Sequence, residues 1–349
     1  MPLKALVTGA NGLVGCHLVR ELIAAGYEVR AMIRPSSDRR SLAGVEVETV
    51  QGDLFDPPSL VAAAQGCDLL FHTAAVFAYW GYSTEALNDI IVEGTRNVVE
   101  AAHRAGVQRL VLTSSSVVMG SSLQTRVRHE QYDLHDPDAP PYFLAKALQE
   151  QTALARSREL GLDLVSVCPT ITVGPRDYRL VPSNAVIVSY LKDPTKATYP
   201  GGCNIVSVKD VAWGHRLAAE QGQPGERYIV GSENWEWSLI HRTISELCGV
   251  PGPRLMANHT SAYLAATAME AMAKVTGQPP ASTRVQARTV GRFYWYSHDK
   301  LAALGYAPRP ARQALAEAIA WLATSPHMGH GLRRRLKLGR EVLQANPDR

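Results

Sequence analysis

The sequence predicts an α/β protein: a doubly wound parallel sheet, with a smaller, mostly helical lobe contributed by the carboxyl-terminal part. Three observations predict it. The first fifteen residues, MPLKALVTGANGLVG, pass from an apolar strand through a glycine turn into a helix start. Strand and helix signals then alternate as far as Cys168, the rhythm of crossover units whose ligands lie outside the carboxyl ends of the strands. The 349 residues, 46% hydrophobic and 19% charged, suffice for one large core or two modest ones.

In order along the chain, residues 5–7 form a short buried strand, closed by Thr8 and Gly9. Gly9, Gly12 and Gly15 recur at intervals of three. Gly9 suits a tight turn, Gly12 a close approach of phosphate to backbone, and Gly15 close packing of helix on strand. The helix that opens at Leu13 would end near Gly26 and present its unpaired N–H groups to a pyrophosphate. Strands follow at 28–33 and 45–50, then a helix at 57–65 opened by Pro57 and Pro58. A strand at 68–72, a long helix at 83–105, a strand at 108–113, a helix at 141–160 and a strand at 163–168 continue the alternation. From Gly174 the rhythm breaks, with Pro175, Pro182, Pro194 and Pro200 punctuating a loop-rich stretch. A strand resumes at Ile205, a helix follows Lys209, and 226–230 reads as another sheet strand. A dinucleotide domain is therefore expected over 1–175 and 205–232, a substrate lobe over 176–204 and 233–326, and a basic tail helix over 327–349.

Composition excludes several classes. Five scattered cysteines with no Cys-x-x-Cys pair argue against a disulfide scaffold or zinc ribbon, and fit a reduced cytoplasmic setting. The net charge of +4 is accounted for by the last twenty residues, with six bases against two acids. A neutral body gives no footing for nucleic acid. The start reads as a strand rather than a signal peptide, and no run of eighteen apolar residues follows, so no transmembrane segment is expected. No Gly-x-Ser-x-Gly elbow and no His or carboxylate cluster with metal-ligand spacing is present, which leaves the metal set empty.

Chemistry is expected at the strand ends. The second strand closes in Arg34 rather than an acid, with Arg39 and Arg40 beyond and Ser36 and Ser37 between. Charge-assisted donors there favour the 2′-phosphate of NADP over NAD, against the plain alternative of a solvated charge run. Asp53 closes the third strand, placed for an adenine amino group or as a helix cap before Pro57. The fourth strand ends His72-Thr73-Ala74-Ala75, small residues over which a cofactor could lie, with His72 read as a core histidine. The fifth ends Thr113-Ser114-Ser115-Ser116, and the helix from Pro141 carries Tyr142 and Lys146 one turn apart. On a shared face, the lysine ammonium would lower the tyrosine's pKa from about 10 toward neutrality, and a serine hydroxyl could bind the same substrate oxygen.

These segments, with Gly52-Asp53-Leu54, Val92-Glu93-Gly94-Thr95-Arg96-Asn97-Val98 and Gly174-Pro175, resemble the extended short-chain dehydrogenase/reductase family over residues 3 to 325. Arg34-Pro35, Gly174-Pro175-Arg176-Asp177 and Val208-Lys209-Asp210-Val211-Ala212 are most similar to its dihydroflavonol reductase, 3β-hydroxysteroid dehydrogenase and hopanoid-associated epimerase-like branch. The resemblance implies a Rossmann fold, NADP(H) or NAD(H) as cofactor, and Ser115, Tyr142 and Lys146 as the catalytic set. Ser115 is chosen because it stands five residues before Gly120. Implied cofactor contacts are Thr8, Gly9, Asn11, Gly12, Leu13, Val14, Arg34, Arg39, Asp53, Leu54, Thr73, Ala74, Ala75, Thr113, Tyr142, Lys146, Pro169, Thr170 and Ile171. One departure stands out: where relatives read Asn-Val-x-Gly-Thr, this chain has Ile91, losing an amide that helps hold the long helix and, in some relatives, a relay water. Proton delivery would then run through the ribose hydroxyl and Lys146 alone.

For the substrate, Phe77, Tyr79 and Trp80 on the loop after the cofactor strand, with Ser116 and Arg176, suit a flat lipophilic ring such as a sterol or isoprenoid ketone or alcohol. Oxidation of an alcohol β to a carboxylate would make the reaction decarboxylating. Arg176, Arg179, Lys192 and Lys196 could instead serve a nucleotide sugar, in an epimerase or dehydratase that retains NAD; a non-catalytic dinucleotide sensor is a third reading. The cluster Phe293 to Tyr296 reads as core. The Ala- and Met-rich helix 261–274 and a basic amphipathic stretch 332–343 allow shallow membrane contact, and a homodimer through helices 83–105 and 141–160 is implied by the family.

Overall fold

A computed structural model describes residues 2–74, 80–278, 280 and 282–345. Its centre is a seven-stranded parallel sheet of β1 (Lys4–Thr8), β2 (Glu28–Ile33), β3 (Glu48–Gln51), β4 (Leu69–His72), β5 (Arg109–Thr113), β6 (Asp163–Pro169) and β7 (Arg227–Val230). The spatial order is β7-β6-β5-β4-β1-β2-β3, so the winding reverses between β1 and β4. A crevice opens there at the carboxyl ends. Register puts Thr8 beside His72 across it.

Side-chain alternation sorts the strands onto two cores. Ala5, Val7, Phe71, Val111 and Val165 face one side, where helix α1 (Leu13–Ala24) packs on the helix Val208–Gln221. Leu6, Leu70, Leu110, Leu112 and Leu164 face the other, under helix α2 (Pro57–Ala64), the long helix α3 (84–104) and helix α4 (Pro141–Leu160). The long helix is not uniform. It runs Thr84–Asn88, loosens into a π turn over Asp89–Glu93, and resumes as Gly94–Arg104. The third strand also starts later than its β-rich residues indicate, at Glu48 rather than 45.

The lobe holds a second sheet centred on the strand Gly202–Ser207, which pairs antiparallel with Glu233–Glu236 and parallel with Ile171–Val173 and Phe293–Tyr294. The strand expected to resume the dinucleotide domain at Ile205 is thus the middle of the lobe's sheet. A side chain at Gly202 would meet the Trp235 carbonyl at 2.4 Å, so only glycine permits this pairing. Ile205, Ile240, Ile244, Leu315, Ile319 and Leu322 form the lobe core; of the cluster expected in the core, Tyr296 is fully buried beside Val118 and Cys168, whereas Phe293, Tyr294 and Trp295 are half-buried.

The tail corrects the sequence reading. Instead of one amphipathic helix it forms two short turns, His330–Arg333 and Arg340–Gln344, because Lys337 and Gly339 donate their N–H groups to the carbonyls of Cys248 and Leu247. Val342 is buried, and Leu332, Leu336 and Leu338 pack on the lobe core. The stripe that read as a membrane face is an interior contact.

Candidate active site

The glycine turn is built as its residue types require. Gly9 has a φ of +67°, and a Cβ there would lie 2.7 Å from the Ala74 backbone; one on Gly15 would lie 2.3 Å from the Gly9 carbonyl oxygen. The turn is thereby pressed against the end of β4 and the start of α1. That helix begins after Gly12 with no capping side chain and no acid in its first turn, which leaves its N-terminal dipole for an anion. Asn11 ties this turn to the loop after β2: its amide donates to the Asp38 carbonyl at 3.1 Å, and its carbonyl accepts from Ser41. Thr73 donates to the Thr8 carbonyl at 2.7 Å.

At the adenosine end, Arg40 pairs with Asp38 and stacks on Tyr178, whereas Arg34 and Arg39 are exposed with no side-chain partner among the described residues. The Asp53 carboxylate accepts from the Phe55 N–H at 2.9 Å, making its own turn, and the Leu54 carbonyl accepts from Asn97. Asp53 is not the cap of α2; Asp56 holds that position.

Ser115, Tyr142 and Lys146 meet where β5 ends against α4. The Ser115 hydroxyl stands beside the Tyr142 phenol and accepts from the Val117 N–H. Lys146 is 1% exposed, and its ammonium donates to the Thr113 carbonyl at 2.8 Å and to the Gln149 side-chain oxygen. The Thr113 hydroxyl in turn bonds His215 Nε2 at 2.8 Å, while His215 Nδ1 bonds the Val211 carbonyl. Burial lowers Lys146 to about 8, against the opposing charges of Cys168 and Glu150.

The phenol departs from expectation. Burial pushes Tyr142 well above its ordinary range and the Ser115 hydroxyl opposes only part of this, so the protein's own groups do not acidify it. Desolvation outweighs the lysine because Lys146 is turned into the core by Thr113 and Gln149.

His72 is a core histidine as expected: 1% exposed, lowered to about 3 by burial, and held between Thr8 and Thr95. Thr170 donates to Asn204 and lies between Pro169, which ends β6, and Ile171, which starts the lobe strand. Of the residues expected at the substrate, Ser116 is buried beside the Tyr296 phenol, which donates to the Gly120 carbonyl, and Arg176 lies near α1, where its charge bears on Cys16, His17 and Arg20. Trp80 is exposed, and Ala75, Phe77 and Tyr79 lie outside the described residues. Sequence reasoning missed Gln149 and His215; the only signal for Gln149 was its spacing of three from Lys146.

A separate polar groove of about 1110 Å³, lined by Glu130, Asp133, Glu150, Arg158, Arg227 and Lys300, meets another face of α4 and contains neither Tyr142 nor Lys146. Among the described residues no group of three His, Cys, Asp or Glu could hold a metal, and no helix is long and apolar enough to cross a membrane.

The uncapped helix start, the glycine cradle that any Cβ would fill and the open strand ends fit a dinucleotide, and together they define a Rossmann-fold NAD(P)-dependent oxidoreductase. The chain belongs to the NAD dependent epimerase/dehydratase family, whose model matches residues 5–231. It is 34% identical over 332 residues to sterol demethylase protein B of Methylococcus capsulatus, covering 91% of this chain and 98% of that one. It is 30% identical over 340 residues to cinnamoyl-CoA reductase 1 of Petunia hybrida, covering 92% of each. Among solved structures, that of gox2253 superposes with a TM-score of 0.81 at 37% identity, covering 91% of this chain and 97% of that one.

Proposed function

We propose that the protein interconverts a ketone and a secondary alcohol on a lipophilic, sterol- or isoprenoid-like ring, with NADP(H) as the favoured cofactor. The observation that carries the reading is the contact of Ser115 with Tyr142, one helical turn from Lys146, at the carboxyl end of β5. The dinucleotide, when bound, supplies or accepts the hydride. Tyr142 gives its phenolic proton to the carbonyl oxygen in reduction and takes it back in oxidation. Ser115 donates to the same oxygen and fixes its direction. Lys146 holds the nicotinamide ribose and, once its charge faces the phenol, lowers the proton's cost of leaving. Thr8, Gly9, Asn11, Gly12, Leu13 and Val14 hold the pyrophosphate, Arg34 and Arg39 the 2′-phosphate, and Pro169, Thr170 and Ile171 border the nicotinamide.

The relation to sterol demethylase protein B supports a ring substrate, including one whose alcohol lies β to a carboxylate and loses carbon dioxide after oxidation. The nucleotide-sugar alternative, with retained NAD, is weakened by its cations: buried Lys196 is spent on the carbonyls of Tyr190 and Leu191, and Arg176 sits against α1. A sensor role gives no reason for a Ser-Tyr-Lys set whose tyrosine and lysine are buried. Membrane contact, having lost the tail, rests on the helix His259–Thr276, with Leu264 and Met272 about two-thirds exposed and Lys274 in its last turn. Pairing of two copies through α3 and α4 would cover the exposed Leu148.

The test is NADPH and NADH oxidation against sterol ketones, aromatic ketones and nucleotide sugars, with Tyr142→Phe as control. The expected result is NADPH-dependent turnover of a ring ketone that falls by about 10³-fold in the variant, with dinucleotide affinity kept. Stoichiometric NAD in the purified protein with nucleotide-sugar turnover, or Tyr142→Phe turnover equal to wild type, would overturn it.

A further inference from the structure

The interior side of Lys146 is closed by a directed chain of hydrogen bonds. Gln149, 1% exposed, stands three residues on along the same face of α4 and accepts from the Lys146 ammonium through its side-chain oxygen. Its amide nitrogen donates to the Thr95 hydroxyl oxygen at 2.5 Å. Thr95 spends its one proton on the Ile91 carbonyl at 2.7 Å, so its oxygen must also accept from His72 Nε2 at 3.0 Å. His72 Nδ1 then accepts from the Thr8 hydroxyl at 2.8 Å. Every proton in the chain has one consistent place, with His72 neutral. Ile91, where relatives carry an asparagine, is 1% exposed and packs with Leu87, Tyr142 and Ala145, so α3 offers no side-chain amide here.

We propose that Gln149 is a positioning residue for Lys146: its carbonyl oxygen, aimed by Thr95, holds the ammonium and leaves the third N–H for the dinucleotide cleft, supplying from α4 the amide that Ile91 lacks on α3. The inference rests on the proposed role of Lys146. An amide is the right group for this task. A leucine would leave a buried ammonium one partner short, and a carboxylate would trap the charge.

The groups facing Lys146 make its titration readable. On its own helix this is Glu150, which is taken by Ser166 and by Arg227 at 3.2 Å. From β6 comes Cys168, a thiol pushed up by burial, and from β4 comes His72, lowered to about 3. The Gln149 oxygen is the one side-chain acceptor on the ammonium among the described residues. Burial brings the amine's midpoint to about 8, and loss of the Gln149 oxygen would leave the ammonium only the Thr113 carbonyl.

Carbon-13 NMR titration of the lysine Cε resonances of the whole protein, with Lys146 assigned by its loss in Lys146→Met, reads this directly and needs no turnover. Gln149→Leu should lower the Lys146 midpoint by about one pH unit and Gln149→Glu raise it by about one, each a tenfold change in protonation ratio. A merely structural role would lower the melting temperature and leave the midpoint in place. Midpoints of folded Gln149→Glu and wild type that agree within about 0.3 units would overturn the inference. If instead the titration shifts as expected but no dinucleotide binds, Gln149 positions the amine and the reductase reading falls.

Discussion

Two long helices rich in apolar residues use them in opposite ways. In α4, of 20 residues, the buried positions include Tyr142, Lys146, Gln149 and Glu150, each polar atom aimed at a partner, while Leu148 is exposed. In the helix His259–Thr276, of 18 residues, only Ala266, Glu270 and Ala273 are buried, while Leu264, Met272 and Val275 face outward. The difference is one of neighbours. α4 lies between a parallel sheet and α3, which cover it on two sides, so polar groups there are held in single positions, and burial moves the pKa values of Tyr142 and Lys146. Among the described residues the lobe helix packs chiefly on Arg284–Ala287, through Glu270, whose carboxylate accepts from the Arg284 N–H and guanidinium. Buried polar groups mark the chemistry in the first helix, and exposed apolar groups mark a surface in the second.

The largest way to break this contrast is Arg227→Leu. It strips the partner at 3.2 Å from Glu150, which is 4% exposed, and a stranded buried charge should cost about 3–5 kcal/mol, read as loss of denaturant midpoint. Arg284→Leu, at the exposed end of the equivalent pair on the lobe helix, should cost far less. Acid sharpens the contrast next. His72 and His215, which flank the Lys146 site, are held neutral with pKa values lowered by burial to about 3 and about 4. An unfolded histidine takes its proton near 6.5, so their contribution is complete above that pH and is lost as pH falls toward 4. The slope for each is up to about 1.4 kcal/mol per pH unit, and His215→Gln should flatten a plot of stability against pH by one such share. The smallest effect on stability is Leu264→Ser combined with Met272→Ser. It should leave unfolding unchanged within about 0.5 kcal/mol and abolish co-sedimentation with anionic liposomes at low salt. Equal sedimentation of variant and wild type would remove that helix as a membrane surface.

Much of the dinucleotide half was legible because its signals are local. Gly9 and Gly15 are glycines for contacts within a few residues or one strand away, Pro57 opens α2, and Gly161 closes α4 in a left-handed conformation. The tail was not legible, since its amphipathic spacing is real but the carbonyls of Leu247 and Cys248 claim the N–H groups that a helix would need. Nor was the lobe sheet, whose central strand looks from its residues like any other buried strand. Which sheet it joins depends on Trp235 and Ile171 arriving on either side.

By itself, then, the sequence determined the parallel sheet, the glycine cradle and the residue types at the strand ends, because each follows from backbone freedom and side-chain period over a few residues. Tertiary structure alone decided that burial would raise the Tyr142 phenol rather than acidify it, and that Gln149 would stand beneath Lys146. Desolvation and hydrogen-bond direction depend on what the rest of the chain brings within a few ångströms, and no local pattern carries that.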